Sequence, residues 1–433
     1  MSGHQQQTEK TVTDMAEADA IISQLAKKAR NAQAALGRAE AKSRNLALLQ
    51  AAQLIRQNNQ QIEAANKKDT EHGHQIGLTH AFIDRLTLTA DRIESMATGL
   101  EDIAELDDPL GVELARWTQP NGLDIARIST ALGVIGVIYE SRPNVTVDAA
   151  GLCIKSGNAV ILRGGSDSYH TSQMLSGLMQ QGLTYAGLPQ AAVQSVPSTD
   201  RTLVGAMLAA SGQLDVIIPR GGKGLVGRVQ DEARVPVFAH LEGICHLYVS
   251  VKADIKKAAD ICVNAKMRRV GICGAAETLL IDQSVSSADM SVIVKRLLDS
   301  GCEVRGTEVV AACDNRIVPA TDADWGCEFL APIISVKTVS GLHEAISHIR
   351  LNGSGHTESI ITEDMGEAET FLNEIDSAIV MVNASTQFAD GGEFGMGAEI
   401  GIATGTLHAR GPVGAAQLTS FKYAVRGSGQ TRD

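Results

Sequence analysis

The sequence predicts an α/β protein with a doubly wound parallel sheet, followed by a second α/β domain. Apolar runs of strand length alternate with amphipathic helical segments along most of the chain, as in sheets covered by helices on both faces. The run "GVIGVIYE" is apolar almost throughout, which is typical of a buried parallel strand. With 433 residues, 44% of them apolar, the chain is large enough for two cores.

Residues 16–105 are predicted to be helical, because apolar residues recur there at spacings of three and four among Lys, Arg and Gln. The next stretch, "GVELARWTQPNGLDIARIS", has two short alternating runs on either side of an Asn-Gly pair. Asn-Gly is a strong hairpin-turn signal. We expect this hairpin to form an arm rather than part of the main sheet.

Two series of strands and helices follow. In the first, the predicted strands are "GVIGVIYE", "NAVILRGG", "AAVQSVP" and "LDVIIPRGG", each followed by a helical segment. In the second, they are "CHLYVSV", "ETLLID", "IISVKTV", "ESIIT" and "SAIVMVN". The later run "FKYAVRG" predicts an exposed strand, which is a second candidate for the arm.

Composition restricts the classes of function. A net charge of -12 argues against general binding to nucleic acid or to an anionic membrane. The polar start "MSGHQQQTEKTVTDM" is not a signal peptide, and no apolar run approaches the length of a membrane span. The seven cysteines are scattered, without a CxxC pair, so we expect no disulfide framework, no metal site and a reducing cytoplasmic setting.

Two glycine-bearing turns follow predicted strands and could bind phosphate. The backbone at such turns can approach a phosphate closely, and a helix N-terminus with basic side chains favours its negative charge. Neither turn is a GxGxxG or Walker A motif, so ordinary α/β turns remain the alternative. The candidate residues are Arg163, Gly164, Gly165 and Ser166 in "ILRGGSDS", and Arg220, Gly221, Gly222 and Lys223 in "IIPRGGKGLVG".

Cys273, in "MRRVGICGAAETLLI", is the candidate nucleophile. Flanking glycines leave room for a substrate, and Lys266, Arg268 and Arg269 precede it. Nearby positive charge lowers a thiol pKa and enriches the thiolate, which is the nucleophile. The alternative is an inert buried thiol, which we expect for Cys153, Cys262, Cys302 and Cys313.

The segment "HLEGICHLYV" carries His240, Glu242, Cys245 and His246. A strand would direct Cys245 and His246 to opposite faces, which argues against a shared metal. An acid–base role for Glu242 and a hydrogen-bonded histidine pair both remain open.

Five segments taken together resemble the aldehyde dehydrogenase superfamily: "GVIGVIYESRPNVTVDAAGLCIKSGNAVILRGGSDS", "HLEGICHLYV", "NAKMRRVGICGAAETLLI", "EFLAPIISV" and "HARGPVGAAQLTSFKY". Within it they are similar to the gamma-glutamyl phosphate reductases, or glutamate-5-semialdehyde dehydrogenases, of proline biosynthesis. The segment "VSGLHEAISHIRLNGSGHTESI" matches that family's signature, with Asn352 where His or Tyr is usual.

The resemblance implies roles for individual residues. Cys273 takes the nucleophile position, and Asn144 matches the asparagine that forms the oxyanion hole with the backbone N–H at the cysteine. Glu328 matches the glutamate that holds the nicotinamide ribose. Arg163 falls at the adenosine-ribose contact, and Ser166 replaces an acidic residue that would repel a 2′-phosphate. The implied cofactor is therefore NADPH.

The implied reaction is reduction of L-glutamyl 5-phosphate to L-glutamate 5-semialdehyde and phosphate through a Cys273 thioester. Glu242 matches a water-activating base of hydrolytic relatives only approximately, and such a base would waste the thioester, so we assign it no role. Arginines should hold the substrate's phosphate and carboxylate. Arg142, Arg269 and Arg410 are the candidates, with a structural ion pair as the alternative for each.

The resemblance also implies an aldehyde dehydrogenase-like architecture. Residues 15–108 and 131–239 would form the nucleotide-binding domain and residues 240–404 the catalytic domain. Residues 109–130 and 405–433 would form the oligomerisation arm, giving a homodimer at least. Contact with glutamate 5-kinase is a further expectation.

Two other functions stay open at this point. One is a hydrolytic NAD(P) aldehyde dehydrogenase for another small aldehyde, which the phosphate dependence of aldehyde oxidation would separate. The other is a thiol acyl-hydrolase or a non-catalytic relative, which would not bind NADPH.

Overall fold

The computed structural model describes residues 14–432, which form two compact units. Unit 1 comprises residues 14–239, 395–401 and 413–432. Unit 2 comprises residues 240–394 and 402–412. The sequence predicts a boundary after residue 404, whereas in the structure residues 395–401 belong to unit 1 and residues 402–412 to unit 2.

Unit 1 contains a helical leader, a parallel sheet and a smaller antiparallel sheet. Its helices are α1 (Met15–Leu36), α2 (Ala41–Gln57), α3 (Asn59–Gln75), α4 (His80–Leu86), α5 (Ala90–Glu105), α6 (Val145–Lys155), α7 (Tyr169–Tyr185), α8 (Thr202–Ala209) and α9 (Lys223–Glu232). Its strands are β1 (Glu113–Thr118), β2 (Asp124–Ala131), β3 (Val134–Tyr139), β4 (Ala159–Gly164), β5 (Val193–Ser195), β6 (Val216–Arg220) and, late in the chain, β16 (Thr419–Arg426).

The parallel sheet of unit 1 has the strand order β5-β4-β3-β6. All six residues of β3 are buried, as the apolar run predicts, so both faces of this strand are covered. Val134 and Ile138 pack in one cluster with Ile22 of α1 and Leu203 of α8. The strand order reverses between β3 and β6, and open α/β sheets bind ligands at the carboxyl ends of strands at such a switch point.

The antiparallel sheet of unit 1 has the order β1-β2-β16. The predicted hairpin is present, with Gly122 in its turn at φ +88°, which favours glycine. The predicted late strand pairs along its full length with β2, from Thr419 opposite Ala131 to Arg426 opposite Asp124. We call these three strands the arm sheet.

Unit 2 is a second α/β layer structure. Its strands are β7 (Cys245–Val249), β8 (Ala276–Asp282), β9 (Glu303–Gly306), β10 (Val318–Pro319), β11 (Ile333–Val339), β12 (Thr357–Ile361), β13 (Ile379–Val382), β14 (Ile402–Ala403) and β15 (Gly411–Pro412). Its helices are α10 (Ile255–Met267), α11 (Ser287–Asp299), α12 (Glu308–Ala311), α13 (Leu342–Asn352) and α14 (Met365–Glu374).

The main sheet of unit 2 is parallel, in the order β10-β9-β11-β8-β7-β12-β13. Its central strands β7, β8 and β12 are buried throughout. Leu247 and Leu279 belong to the core on one face, and Tyr248 and Leu280 to the core on the other. The alternation is the period of two that a strand covered on both sides requires.

The predicted α/β class is therefore confirmed, with two differences in detail. The helical leader consists of five separate helices, and the short strands β9, β10, β14 and β15 were not predicted from the sequence. Among residues 14–432, no helix combines the length and the apolar character that crossing a membrane requires.

Candidate active site

Cys273 lies in the loop that joins α10 to β8 in unit 2. It is partly exposed, whereas Cys153, Cys245, Cys262 and Cys302 are buried. Burial raises the pKa of Cys262 and that of Cys302 to about 12. Those thiols stay protonated at neutral pH, so access to solvent separates Cys273 from the buried thiols.

Gly243 packs directly against Cys273. A Cβ atom at this position would lie 2.6 Å from both Cα and Cβ of Cys273, so only glycine fits without displacement of the loop. The backbone N–H of Gly243 donates to Glu328 Oε1 at 2.8 Å. Gly243, in the segment before β7, thus contacts both the predicted nucleophile and the predicted ribose ligand.

A buried ion pair supports the turn that carries Glu328. Lys266 Nζ lies 2.5 Å from Glu277 Oε2, and both side chains are fully buried. Glu277 Oε1 accepts from the N–H of Leu330, a residue with φ +50°. Burial raises the pKa of Glu277 to about 7, against the opposing effect of the Lys266 ammonium.

This pair changes the role expected for Lys266. The sequence predicts that Lys266 is one of the cations that lower the pKa of the Cys273 thiol. Its ammonium is instead paired with the Glu277 carboxylate, and Arg269 is exposed to solvent. The Glu277 carboxylate offsets the charge of Lys266, and solvent screens the charge of Arg269, so each cation acts on the Cys273 thiol less than the sequence predicts.

Two histidines and a second cysteine surround the Cys273 loop. His240 Nδ1 lies 2.7 Å from the carbonyl of Ile402, and the rings of His240 and His356 stand edge to face with centroids 5.0 Å apart. The thiol of Cys245 donates to the carbonyl of Cys273 at 3.1 Å and lies 3.6 Å from His356 Nδ1.

His246 has a separate role. Its Nδ1 lies 3.1 Å from Glu358 Oε2, and both side chains are fully buried. The strand therefore directs Cys245 towards the Cys273 loop and His246 towards Glu358, as the alternation of a strand requires.

Asn144, in unit 1, stands at the N-terminus of α6 after a tightly fixed turn. Ser141 adopts φ +44°, and its hydroxyl donates to the Asp167 carboxylate. Asn144 Nδ2 donates to Asp148 Oδ2 at 2.9 Å, one helical turn further on. Burial raises the pKa of Asp148 to about 6, while the Asn144 amide and the Arg220 charge act in the opposite direction. Asp148 thus orients the predicted oxyanion-hole amide.

The basic side chain of the turn after β4 is hydrogen-bonded to the protein backbone. Arg163 is nearly buried and donates to the carbonyls of Gly164 at 2.5 Å and Thr199 at 2.6 Å. Burial lowers its pKa. Ser166 is exposed, so this turn presents a small neutral side chain to solvent at the predicted adenosine-ribose position.

The backbone N–H groups of the turn after β6 are also partly engaged, by a carboxylate of the protein itself. The Gly222 N–H, at the start of α9, donates to Glu140 Oε2 at 3.2 Å. A Cβ atom on Gly221 would lie 3.1 Å from the Glu140 carboxyl carbon. Lys223 is exposed. A phosphate at this turn would have to replace the Glu140 carboxylate at the backbone.

The three candidate substrate arginines occupy different settings. Arg410, in unit 2, donates to Asp376 Oδ1 at 2.7 Å and to its carbonyl at 2.5 Å, which is a structural ion pair. Arg142 is partly buried in the turn before α6 in unit 1, and Arg269 is exposed in the Cys273 loop of unit 2. Arg410 is thus already engaged, and Arg269 lies nearest Cys273 along the chain.

Sequence reasoning missed three residues of these sites. Gly243 lies in "HLEGICHLYV", where only the ionisable side chains indicate chemistry. The spacing of Asp148, four residues after Asn144 on one helix face, is the signal that could have identified it. His356 had no local signal, because its neighbours come from residues 240 and 245.

Comparison with known proteins identifies the family of this chain. The aldehyde dehydrogenase family model matches residues 2–304 and 317–401. The gamma-glutamyl phosphate reductase of Paramagnetospirillum magneticum is 57% identical over 98% of this chain and 99% of that protein. That of Mesorhizobium japonicum is 58% identical over 95% of this chain and 97% of its own.

A solved structure gives the same result. The crystal structure of gamma-glutamyl phosphate reductase from Thermotoga maritima has a TM-score of 0.92 and 42% identity, and covers 95% of this chain and 100% of that one. The chain belongs to the gamma-glutamyl phosphate reductases of the aldehyde dehydrogenase family.

Proposed function

We propose that this chain reduces L-glutamyl 5-phosphate to L-glutamate 5-semialdehyde and phosphate, with NADPH, in proline biosynthesis. The observation that carries the proposal is the partly exposed thiol of Cys273, held against Gly243 and beside Glu328 in a chain whose relatives bear this activity in their names.

The first step is acyl transfer to Cys273. The thiolate attacks the γ-carbonyl carbon, the C–S bond forms, and the C–O bond to phosphate breaks. Negative charge gathers on the carbonyl oxygen during this step, where an amide N–H from Asn144 and the backbone N–H at Cys273 would stabilise it. Asp148 holds one N–H of the Asn144 amide, which sets the direction of the other.

The second step is reduction of the thioester. The hydride is the chemistry that bound NADPH supplies. The resulting thiohemiacetal oxyanion collapses, the C–S bond breaks, and the aldehyde leaves with the thiolate restored. One proton from solvent is taken up overall and leaves on the phosphate.

Membership of the family implies a nicotinamide cofactor, and the residues of unit 1 fit the phosphorylated form. Ser166 is exposed and neutral, and the carboxylate of the adjacent Asp167 accepts from Ser141. Ser166 therefore adds no negative charge that would repel a 2′-phosphate, and the Asp167 carboxylate is held against Ser141, which favours NADPH over NADH. Glu328, fixed by Gly243, would hold the nicotinamide ribose.

The assembly and setting belong to the same proposal. The arm sheet ends in the edge strand β16, which leaves backbone groups to pair with a second copy, so we infer a homodimer. None of the seven cysteines, all of which lie within residues 14–432, forms a disulfide, which suits the reducing cytoplasm. Contact with glutamate 5-kinase would shorten the exposure of the labile acyl phosphate to water.

The decisive experiment is semialdehyde oxidation by NADP⁺ with and without phosphate, in the wild type and in Cys273→Ala. We expect strict phosphate dependence and a loss of more than about a thousandfold in Cys273→Ala, with NADPH binding retained. Cys313→Ser, a partly exposed thiol elsewhere in unit 2, serves as the matched control and should keep full activity.

Two outcomes would contradict the proposal. Oxidation that proceeds equally without phosphate would indicate a hydrolytic aldehyde dehydrogenase. Turnover retained in Cys273→Ala would remove the nucleophile from the mechanism.

A further inference from the structure

Three side chains that the sequence keeps apart converge at the Cys273 loop. His240, Cys273 and His356 each offer one metal-ligating atom, and these atoms all lie within 4.8 Å of one another. All three belong to unit 2. Their separation along the chain explains why a search for zinc-type spacings gives no signal.

The hydrogen bond of His240 fixes its tautomer. A backbone carbonyl can only accept, so the 2.7 Å contact with Ile402 O places the proton of the neutral ring on Nδ1. The lone pair is then on Nε2. A histidine that donates one N–H to a carbonyl while its other nitrogen carries the lone pair is the usual arrangement of a metal ligand.

His356 offers a second imidazole. Its ring is fully buried, which disfavours the charged imidazolium. Its Nδ1 lies 2.9 Å from Thr357 Oγ1, whereas Nε2 is buried without a hydrogen-bond partner. A buried unpaired ring nitrogen costs free energy, which coordination to a cation would offset.

We propose that His240, Cys273 and His356 form a binding site for Zn²⁺, which masks the Cys273 sulfur reversibly. Two imidazole nitrogens and one thiolate are a donor set that zinc prefers. Tetrahedral ligand atoms at usual zinc bond lengths lie about 3.4–3.6 Å apart. Side-chain rotations that move each ligand atom by about 1 Å would therefore complete the site.

The coordination step balances without a redox partner. The Cys273 thiol gives its proton to solvent as the S–Zn bond forms, and each imidazole contributes its lone pair. Water fills the fourth position. Inhibition of the reductase follows if Cys273 is the nucleophile, so this consequence rests on the proposed function, whereas zinc binding does not.

The test is calorimetric titration of the full chain with ZnCl₂ alone, repeated with Cys273→Ser and His240→Gln. We expect one Zn²⁺ per chain, bound more than about a hundredfold more weakly in each variant, since loss of a direct ligand should exceed the 10–100-fold typical of an outer partner. With CoCl₂ instead, the wild type should show a thiolate-to-cobalt charge-transfer band that Cys273→Ser lacks.

Matched controls separate this site from adventitious binding. Cys313→Ser and His343→Gln change a thiol and an exposed imidazole elsewhere in unit 2 and should bind Zn²⁺ as the wild type does. His356→Gln should behave as His240→Gln does. Should circular dichroism show that His356→Gln is unfolded, the other two variants decide.

Three results would overturn the inference: no stoichiometric binding, a charge-transfer band that persists in Cys273→Ser, or equal loss in the control variants. Failure of the proposed function looks different. If the chain binds Zn²⁺ through these residues but has no reductase activity, the zinc site stands and only the proposed inhibition is refuted. If the enzyme is active but does not bind Zn²⁺, the zinc site is refuted and the proposed function stands.

Discussion

The turn after β4 in unit 1 and the Cys273 loop in unit 2 use their polar groups differently. At the first, the two terminal nitrogens of the Arg163 guanidinium donate to the carbonyls of Gly164 and Thr199, while Nε is buried without a hydrogen-bond partner. At the second, a ring nitrogen of His356 is buried without a hydrogen-bond partner beside a partly exposed thiol.

The difference shows which groups are structural and which are positioned to react. A guanidinium whose terminal nitrogens already donate to backbone carbonyls is held in its turn and acts on a ligand mainly through its electric field. A thiol and imidazoles held by neighbouring contacts can meet an incoming atom without rearrangement of the backbone, which is the purpose of a preorganised site. Four substitutions test this contrast, in order of expected effect.

Lys266→Met should have the largest effect on stability. It leaves the Glu277 carboxylate buried without its cation, so we expect the free energy of unfolding to fall by about 3–5 kcal/mol at pH 8. Lys252→Met is the matched control, because Lys252 pairs with Asp364 at 2.8 Å but is half exposed, and should cost at most about 1 kcal/mol. Equal losses in urea unfolding would show that burial of the pair is irrelevant.

Gly243→Ala should disable the Cys273 loop without destroying the fold. The new Cβ would meet the backbone of Cys273, and a displacement of about 1 Å at a reacting group can cost about a hundredfold in kcat. Gly224→Ala, on exposed α9 with nothing within 4 Å of the added carbon, should leave kcat unchanged. A fully active Gly243→Ala enzyme would mean that the close contact does not position the thiol.

Ser166→Asp probes the turn after β4. A carboxylate on this exposed residue should repel a 2′-phosphate, lowering kcat/KM for NADPH by about tenfold and leaving kcat/KM for NADH nearly unchanged. Ser166→Asn has the same shape without the charge and should retain the preference for NADPH. An equal change with both cofactors would place the 2′-phosphate elsewhere.

Asp148→Asn should have the smallest effect, and it should raise the stability of the protein at alkaline pH rather than lower it. Burial raises the pKa of Asp148 from 3.8 to about 6, so the folded state binds the proton more tightly and wild-type stability falls as pH rises through that window. The neutral amide escapes this cost, which the full shift would set at about 3 kcal/mol at pH 8. Because Asp148 is partly exposed and the variant weakens the hydrogen bond from Asn144, we expect it to be more stable by about 1 kcal/mol at pH 8 but not at pH 4. Thermal unfolding at the two pH values measures it, and a pH-independent difference would contradict the shift.

The sequence was sufficient for the fold class because the buried strands are continuous apolar runs. β3 and β7 are buried at every position, and period and length identify such strands without long-range information. β9 could not be predicted because "EVRG" is short and half polar. It is a strand because it pairs with β11, and its own residues do not indicate that pairing.

The candidate sites show where sequence reasoning stops. The position of Cys273 in a loop between helix and strand could be predicted from its glycine neighbours. The pairing of Lys266 with Glu277 and the approach of Gly243 could not, because each depends on how a segment returns in three dimensions. The hydrogen bonds of Arg163 depend on a loop more than thirty residues later.

The pairing of β16 with β2 also has a consequence for how the protein is made. Residues 419–426 complete a sheet begun at residue 113, and all of unit 2 is translated between its two parts. A ribosome-bound chain would expose one long edge of the β1–β2 hairpin until those late residues emerge, and contacts so distant in sequence form slowly. Chaperone dependence during synthesis should therefore be concentrated on this hairpin.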